Sequence, residues 1–336
     1  MEGMGVWIQF LVCIVLIGVA GVQLTRYGDV IADKTGLGGT WIGLVLVATV
    51  TSLPELASGI SSVTIADVPD IAVGNVLGAC VLNLTILALL DALHRGETLY
   101  QRASPGHILP AGFVILLLGI TGFGLLTAEV GQDWRLWHVG FYTPLILIGY
   151  FVAVRTVYRH EMAQVARFTE AEPDRYPGLS LRTAVLRYSL AAVVVIAAGI
   201  WLPFVGEGIA RQMGWTESFV GTLFVALVTT VPELVVTLSA LRIGAVDMAI
   251  GNLLGSSLFN LMILAVDDLF YVAGPLLGAA SPAHAVTVFS VTMMTGVVIV
   301  SLFYRPRARL LKTMGWGSLV LLAIYALNSA VVYIHG

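Results

Sequence analysis

The sequence predicts an all-α integral membrane protein. It should have ten transmembrane helices arranged as two inverted-topology five-helix repeats, with helices 2 and 7 each broken by a proline. Three observations predict this. The 336 residues are 58% hydrophobic and only 11% charged, whereas soluble domains carry about 25% charged residues. Apolar runs near the roughly 20 residues needed to cross a bilayer recur along the whole chain. The segment Val50-Thr-Ser-Leu-Pro-Glu-Leu56 returns as Val228-Thr-Thr-Val-Pro-Glu-Leu234, 178 positions later (Pro232 minus Pro54).

In chain order the spans are expected at residues 7–24, 40–65, 70–93, 107–126, 137–157, 185–205, 216–241, 246–271, 284–303 and 314–334. The first reads as a retained span and not a signal peptide, because no Lys or Arg precedes Arg26 to form a basic n-region. The one long polar connection divides the chain into a first five-helix repeat (1–157), a linker (158–183) and a second five-helix repeat (184–336). That linker is too short for a calcium-sensing domain. Cys13 and Cys80 both fall in apolar spans, so no disulfide framework is expected, and no Cys/His cluster has metal-ligand spacing.

The halves repeat beyond the proline segments. Trp41-Ile-Gly-Leu-Val-Leu-Val-Ala48 aligns with Phe219-Val-Gly-Thr-Leu-Phe-Val-Ala226, and Asp70-Ile-Ala-Val-Gly-Asn-Val-Leu-Gly78 aligns with Asp247-Met-Ala-Ile-Gly-Asn-Leu-Leu-Gly255. Ala103-Ser-Pro-Gly-His107 matches Ala280-Ser-Pro-Ala-His284. Five spans per half is an odd number, so the second copy enters the membrane from the opposite side. All but Arg135 and Arg211 of the 17 basic residues then fall on the side away from the termini. The positive-inside rule therefore puts both termini outside a cell (inner) membrane and the 158–183 loop in the cytoplasm. Inverted repeats of this kind build many secondary transporters.

The chemistry is expected at the breaks. A proline in a helix removes one donor and clashes with the carbonyl four residues earlier. Pro54 thus frees or disturbs the carbonyls of Val50 and Thr51, and Pro232 those of Val228 and Thr229. Such groups persist in a bilayer only where protein or a wet cavity satisfies them. Glu55 and Glu233 follow the prolines near mid-span, where a charge costs several kcal/mol, and no Lys or Arg lies in these spans to pair with them. Each must be protonated, paired or bound to a cation.

The third and eighth spans supply the facing wall. Asn75, Ala79 and Asn83 fall on one helical stripe, as do Asn252, Ser256 and Asn260. Asn75 and Asn252 suit either interhelical hydrogen bonding or ligation; Asn83 and Asn260 lie deeper and suit ligation. Gly74/Gly78 and Gly251/Gly255 read as close-packing faces. The candidate ligands are all hard oxygens: the two carboxylates, the hydroxyls of Thr51, Ser52, Thr229, Thr230 and Ser256, the amides and the loosened carbonyls. Ca²⁺ takes six to eight such oxygens, whereas Mg²⁺ dehydrates reluctantly. Na⁺ accepts similar oxygens with half the charge, so competition between Ca²⁺ and Na⁺ is natural. Asp91, Asp267 and Asp268, near span ends, read as interfacial solvation, and His107 and His284 as helix caps.

These paired segments, Thr51-Ser-Leu-Pro-Glu-Leu56 with Gly74–Asn83 and Thr229-Thr-Val-Pro-Glu-Leu234 with Gly251–Asn260, resemble the cation/Ca²⁺ exchanger superfamily and its sodium/calcium exchanger-like branch of prokaryotic type. The resemblance extends over nearly the whole chain. It implies a central Ca²⁺ site of Glu55 and Glu233 with the carbonyls of Thr51 and Thr229, completed by Asn83 and Asn260. It also implies flanking Na⁺ sites, one from the Ala48 carbonyl and Ser52, the other from the Ala226 carbonyl, Thr230 and Ser256. The first and sixth spans would slide as a gate. Two departures bear on ion preference: Ala79 stands where the family often has Ser, and Asn260 where some members have Asp.

The expected function is antiport of Ca²⁺ against Na⁺ by alternating access, with H⁺-coupled antiport of Ca²⁺ or another divalent cation as the alternative. An intramembrane two-carboxylate protease gives the duplicated hydroxyls and glycines no role, and a channel suits the broken inverted repeats less well. The chain is therefore read as a transporter and not an enzyme. No cofactor, nucleic acid or obligatory protein partner is expected; the partners are Ca²⁺, Na⁺ and the lipid bilayer.

Overall fold

The computed structural model describes residues 2–34, 49–94, 97–131, 134–165, 176, 178–306, 308–310 and 313–335. The long helices are α1 (Glu2–Lys34), α2 (Leu53–Ser61), α3 (Pro69–Leu93), α4 (Ile108–Glu129), α5 (Tyr142–Val165), α6 (Leu181–Met213), α7 (Val231–Arg242), α8 (Val246–Phe270), α9 (His284–Tyr304) and α10 (Trp316–His335). Among the described residues, seven helices are long and apolar enough to cross a membrane, or eight if a bent pair ending in α7 is one span. The second expected span is described only from Thr49 onward. The fifth forms a helix of 24 residues, but Arg155 and Arg159 shorten its apolar stretch.

The sequence sets the helix ends locally. Pro69 opens α3, where its missing N–H costs nothing, and Asp70 follows in the first turn, favourably placed at the positive end of the helix dipole. The Ser180 hydroxyl accepts from Thr183 N–H at the start of α6, and Gly214, with φ 66°, ends it in the left-handed region.

α3 and α8 form the middle of the molecule. They pack on each other and are buried almost all round, each also contacting the break region of the opposite half. The glycine face of α3 does what close-packing glycines do: a Cβ on Gly74 would meet Thr222 N at 2.9 Å, and one on Gly78 would strike the Thr222 carbonyl. Around this centre lie α4, α5, α9 and α10, sharing one large core. α1 and α6 form a second unit, packed on each other along most of their length. Their ends are tied together: Arg187 Nη1 donates to Tyr27 Oη at 2.6 Å, and Tyr176 Oη donates to Asp29 Oδ2 at 2.5 Å. Met4, Ile8, Leu11, Val15 and Val19 of α1 are exposed at helical spacing, the apolar stripe of a helix facing lipid.

Two short antiparallel ladders were not expected. Arg135–Leu136 (β1) pairs with Val139–Gly140 (β2), and Arg309–Leu310 (β3) with Met314–Gly315 (β4). Each immediately precedes a long helix, α5 or α10, so the ladders occupy equivalent places in the two halves.

The expectation for the span-end acids is overturned for all three. Asp91 and Asp268 are fully buried and hold these ladders to the core. Asp91 accepts from Leu99 N–H, Gly315 N–H and Ser318 Oγ, each at 2.7 Å. Asp268 accepts from Gly140 N–H at 2.9 Å, Tyr142 Oη at 2.5 Å, Thr143 Oγ1 at 2.6 Å and Leu276 N–H at 2.7 Å. Asp267 is buried with no partner. The histidines are not caps of their own helices either. His107 Nε2 lies 2.9 Å from Asp247 Oδ1, and His284 Nε2 lies 3.0 Å from Asp70 Oδ1. The same two carboxylates also accept from Ser104 N–H and Ser281 N–H, each at 2.6 Å. Each polar link is thereby pinned to the start of the central helix of the other half.

Candidate functional site

Both proline segments break the helix one residue before Leu53 and Val231. Ser52 (φ −89°, ψ 12°) leaves α-helical geometry, Thr230 (φ −80°, ψ 0°) lies at its edge, and in both segments a new helix begins with proline in its first turn. At Thr230 the helix axis bends by 48°. A π-helical run, Val220–Val225, precedes that break, and another, Ser62–Ala66, follows α2; such turns recur at functional sites.

The two carboxylates lie between the breaks, near enough to influence each other electrostatically. Glu55 is fully buried and Glu233 nearly so. Neither faces lipid. Ser52 Oγ donates to Glu233 Oε1 at 3.1 Å, which ties the first break to the acid of the second. Thr51 Oγ1 lies 3.5 Å from Ser256 Oγ, and both hydroxyls stand beside Glu233. Across the centre, Thr229 and Thr230 stand beside Glu55. The Thr229 hydroxyl donates to Asn75 Oδ1 at 2.9 Å, and Asn75 Nδ2 reaches the Glu55 carbonyl at 3.5 Å. Thr230 Oγ1 donates to the Ala226 carbonyl at 2.7 Å, joining two residues expected to act together. Ala48 lies outside the described residues.

The wall residues divide. Asn75 is engaged by Thr229, whereas both polar atoms of Asn252 are buried without a partner. Asn83 Nδ2 donates to Ser257 Oγ at 3.4 Å, leaving its Oδ1 without one, and both polar atoms of Asn260 have none. Ser257 was missed because its counterpart in the first half is Cys80, so the repeat gave it no second vote. Ala79 is buried on its stripe and offers no oxygen.

Both oxygens of Glu55 and Oε2 of Glu233 are buried with no hydrogen-bond partner, and no Lys or Arg occurs among the described buried residues. Among the described residues no group of three His, Cys, Asp or Glu converges. The donor set is therefore two carboxylates amid hydroxyls, amides and carbonyls. It suits a hard cation, and a divalent ion would neutralise the pair.

The breaks are also where the α1–α6 unit rests. A Cβ on Gly21 of α1 would lie 2.5 Å from Pro232 Cγ, and one on Gly199 of α6 would lie 2.8 Å from Ala57 Cβ and 3.2 Å from the Pro54 carbonyl. The two glycines are 178 positions apart, like the prolines they cover. Neither was singled out from the sequence, since a glycine in an apolar helix carries no signal of what crosses it.

Residues 5–157 and 183–334 match the protein family described as sodium/calcium exchanger protein. The sodium/calcium exchanger MaX1 of Methanosarcina acetivorans is 27% identical, over 92% of this chain and 93% of its own. The inner membrane protein YrbG of Escherichia coli is 25% identical over 72% of each. The crystal structure of the H⁺/Ca²⁺ exchanger CAX superposes with a TM-score of 0.71 at 13% identity, covering 98% of this chain and 86% of that one.

Proposed function

The chain belongs to the sodium/calcium exchanger protein family, and from that premise we propose that it exchanges Ca²⁺ for Na⁺ across a cell membrane at the Glu55/Glu233 centre. The observation that carries this reading is the pair of buried carboxylates with three partnerless oxygens, surrounded by neutral oxygen donors. One Ca²⁺ on two ionised Glu gives a neutral site that can be covered and uncovered cheaply. The bare pair would carry two negative charges into low dielectric and resist the same movement. The central ion would use Glu55, Glu233, the carbonyls of Thr51 and Thr229, Asn83 and Asn260. Na⁺ would use Ser52 with the Ala48 carbonyl on one flank, and Thr230, Ser256 and the Ala226 carbonyl on the other. Thr230 and Ala226 are in contact already.

The proposed topology is ten spans in two inverted repeats (1–157 and 184–336), with both termini outside and the 158–183 linker in the cytoplasm. α1 and α6 form the moving part. They are packed and cross-linked as one body, and they touch the breaks through glycine. Gly21→Val or Gly199→Val should therefore cut Ca²⁺ flux in reconstituted vesicles by about tenfold, the scale of a 1–3 kcal/mol overpacking cost, while the protein stays monodisperse. Unchanged flux in both variants would remove these contacts from the mechanism.

H⁺ as counter-ion is the second reading, favoured by Ala79, whose methyl removes one Na⁺ ligand. Radiolabelled Ca²⁺ uptake into proteoliposomes, with Na⁺, K⁺ and pH gradients imposed separately, decides between them. The Na⁺ gradient is expected to drive uptake. Uptake that follows only the pH gradient would overturn the Na⁺ reading and keep the H⁺ one.

A further inference from the structure

Asp267 is a buried acid that the exchange centre does not use. It lies on α8 seven residues beyond Asn260, a spacing that keeps it on the stripe of Ser256 and Asn260 and sets it about 10 Å farther along the axis. The side chain is fully buried, and neither oxygen has a hydrogen-bond partner. Its neighbour across the helix interface is α2: a Cβ on Gly59 would fall onto the Asp267 carboxylate. Gly59 lies one turn beyond Glu55, so the missing side chain lets the carboxylate reach the break helix just past the centre. The hydroxyl of Ser58, the residue before it, is likewise buried without a partner, on the side of α2 that faces α6.

Structural burial does not explain this acid. A buried carboxylate without donors is costly, and the adjacent Asp268 shows how the fold treats a structural one, with four donors. Asp91 and Asp268 are repeat counterparts and both are satisfied. The counterpart of Asp267 is Leu90, fully buried hydrocarbon. The acid is thus present on one limb of an otherwise repeated route. Both α2 and α8 run toward it from the centre, which in the proposed topology is the outer limb.

We propose that Asp267 anchors an additional site for a hard cation, Ca²⁺ or Na⁺, on the outer limb of the path to the Glu55/Glu233 centre. The proposal rests on the exchanger reading and its orientation. It is tested with Asp267→Asn, which keeps the shape, and Asp267→Leu, which installs the residue found at position 90. Ca²⁺ is varied on one face of the proteoliposome at a time. The KM for Ca²⁺ at the outer face should rise about tenfold, which is 1.4 kcal/mol of lost binding, with kcat and the inner-face KM within twofold. Loss of Na⁺ inhibition at the outer face by the same factor would assign Na⁺ to the site as well as Ca²⁺. An unchanged outer KM, or an equal change at both faces, overturns the proposal.

A binding measurement keeps the test independent of transport and of how well the Asp267 variants fold. The purified Glu55→Gln/Glu233→Gln double variant should retain weak equilibrium Ca²⁺ binding, and adding Asp267→Asn should remove it. No residual binding in the double variant overturns the site. The exchanger reading fails differently, by flux that survives both Glu55→Gln and Glu233→Gln.

Discussion

Replacing Glu55 or Glu233 with Gln is expected to lower Na⁺-driven Ca²⁺ uptake at least about 100-fold. Gln keeps the shape and the carbonyl oxygen but removes one of the two charges that neutralise a divalent ion. The loaded site would then carry a net positive charge near mid-bilayer, which costs about 3 kcal/mol on the gentlest scale, or about two decades. The two variants should be equally impaired, because each acid sits beside hydroxyls donated from the other break. Radiolabelled Ca²⁺ uptake into proteoliposomes is the readout, and uptake retained by both would refute the assignment of the site.

The largest stability effect is expected away from the proposed exchange centre, at Asp268. Asp268→Leu would leave two backbone N–H groups and the hydroxyls of Tyr142 and Thr143 buried without their acceptor. Each orphaned donor costs about 1–3 kcal/mol, so the sum is on the order of 5 kcal/mol, comparable with the whole stability of many domains. Asp91→Leu should behave alike through Leu99, Gly315 and Ser318. Asp267→Leu, one residue away, should leave the thermal midpoint unchanged or raised, because it breaks no hydrogen bond. A midpoint for Asp268→Leu within a few degrees of the parent would show that this network does not hold the fold.

The contrast between Asp268 and Glu55 explains what could be read from the chain. A proline and a carboxylate in mid-span are expensive wherever they occur, so Pro54-Glu55 and Pro232-Glu233 marked the candidate site before any contact was known. The asparagine stripes were legible for the same reason. Asp91 and Asp268 lie near span ends, where solvation is the cheap explanation. Their true partners include the N–H groups of Gly315 and Gly140, 224 and 128 positions away. The histidines were misread similarly, since a cap is a local solution and Asp247 is 140 positions from His107. Two-residue ladders leave no periodic trace in the sequence. Gly21 and Gly199 take their meaning only from the prolines that they cover.

The reciprocal pinning of the halves has a consequence for descent. Asp70 of one half meets His284 of the other, and Asp247 meets His107. That is the rule of an isologous contact between identical subunits, where residue i touches j and j touches i. The polypeptide is in this sense a homodimer written as one chain. In the proposed inverted topology, a single-repeat ancestor could have made the same bonds only if its product inserted into the bilayer in both orientations. Joining two copies would remove that requirement and leave each copy free to fix one orientation with its own basic loops.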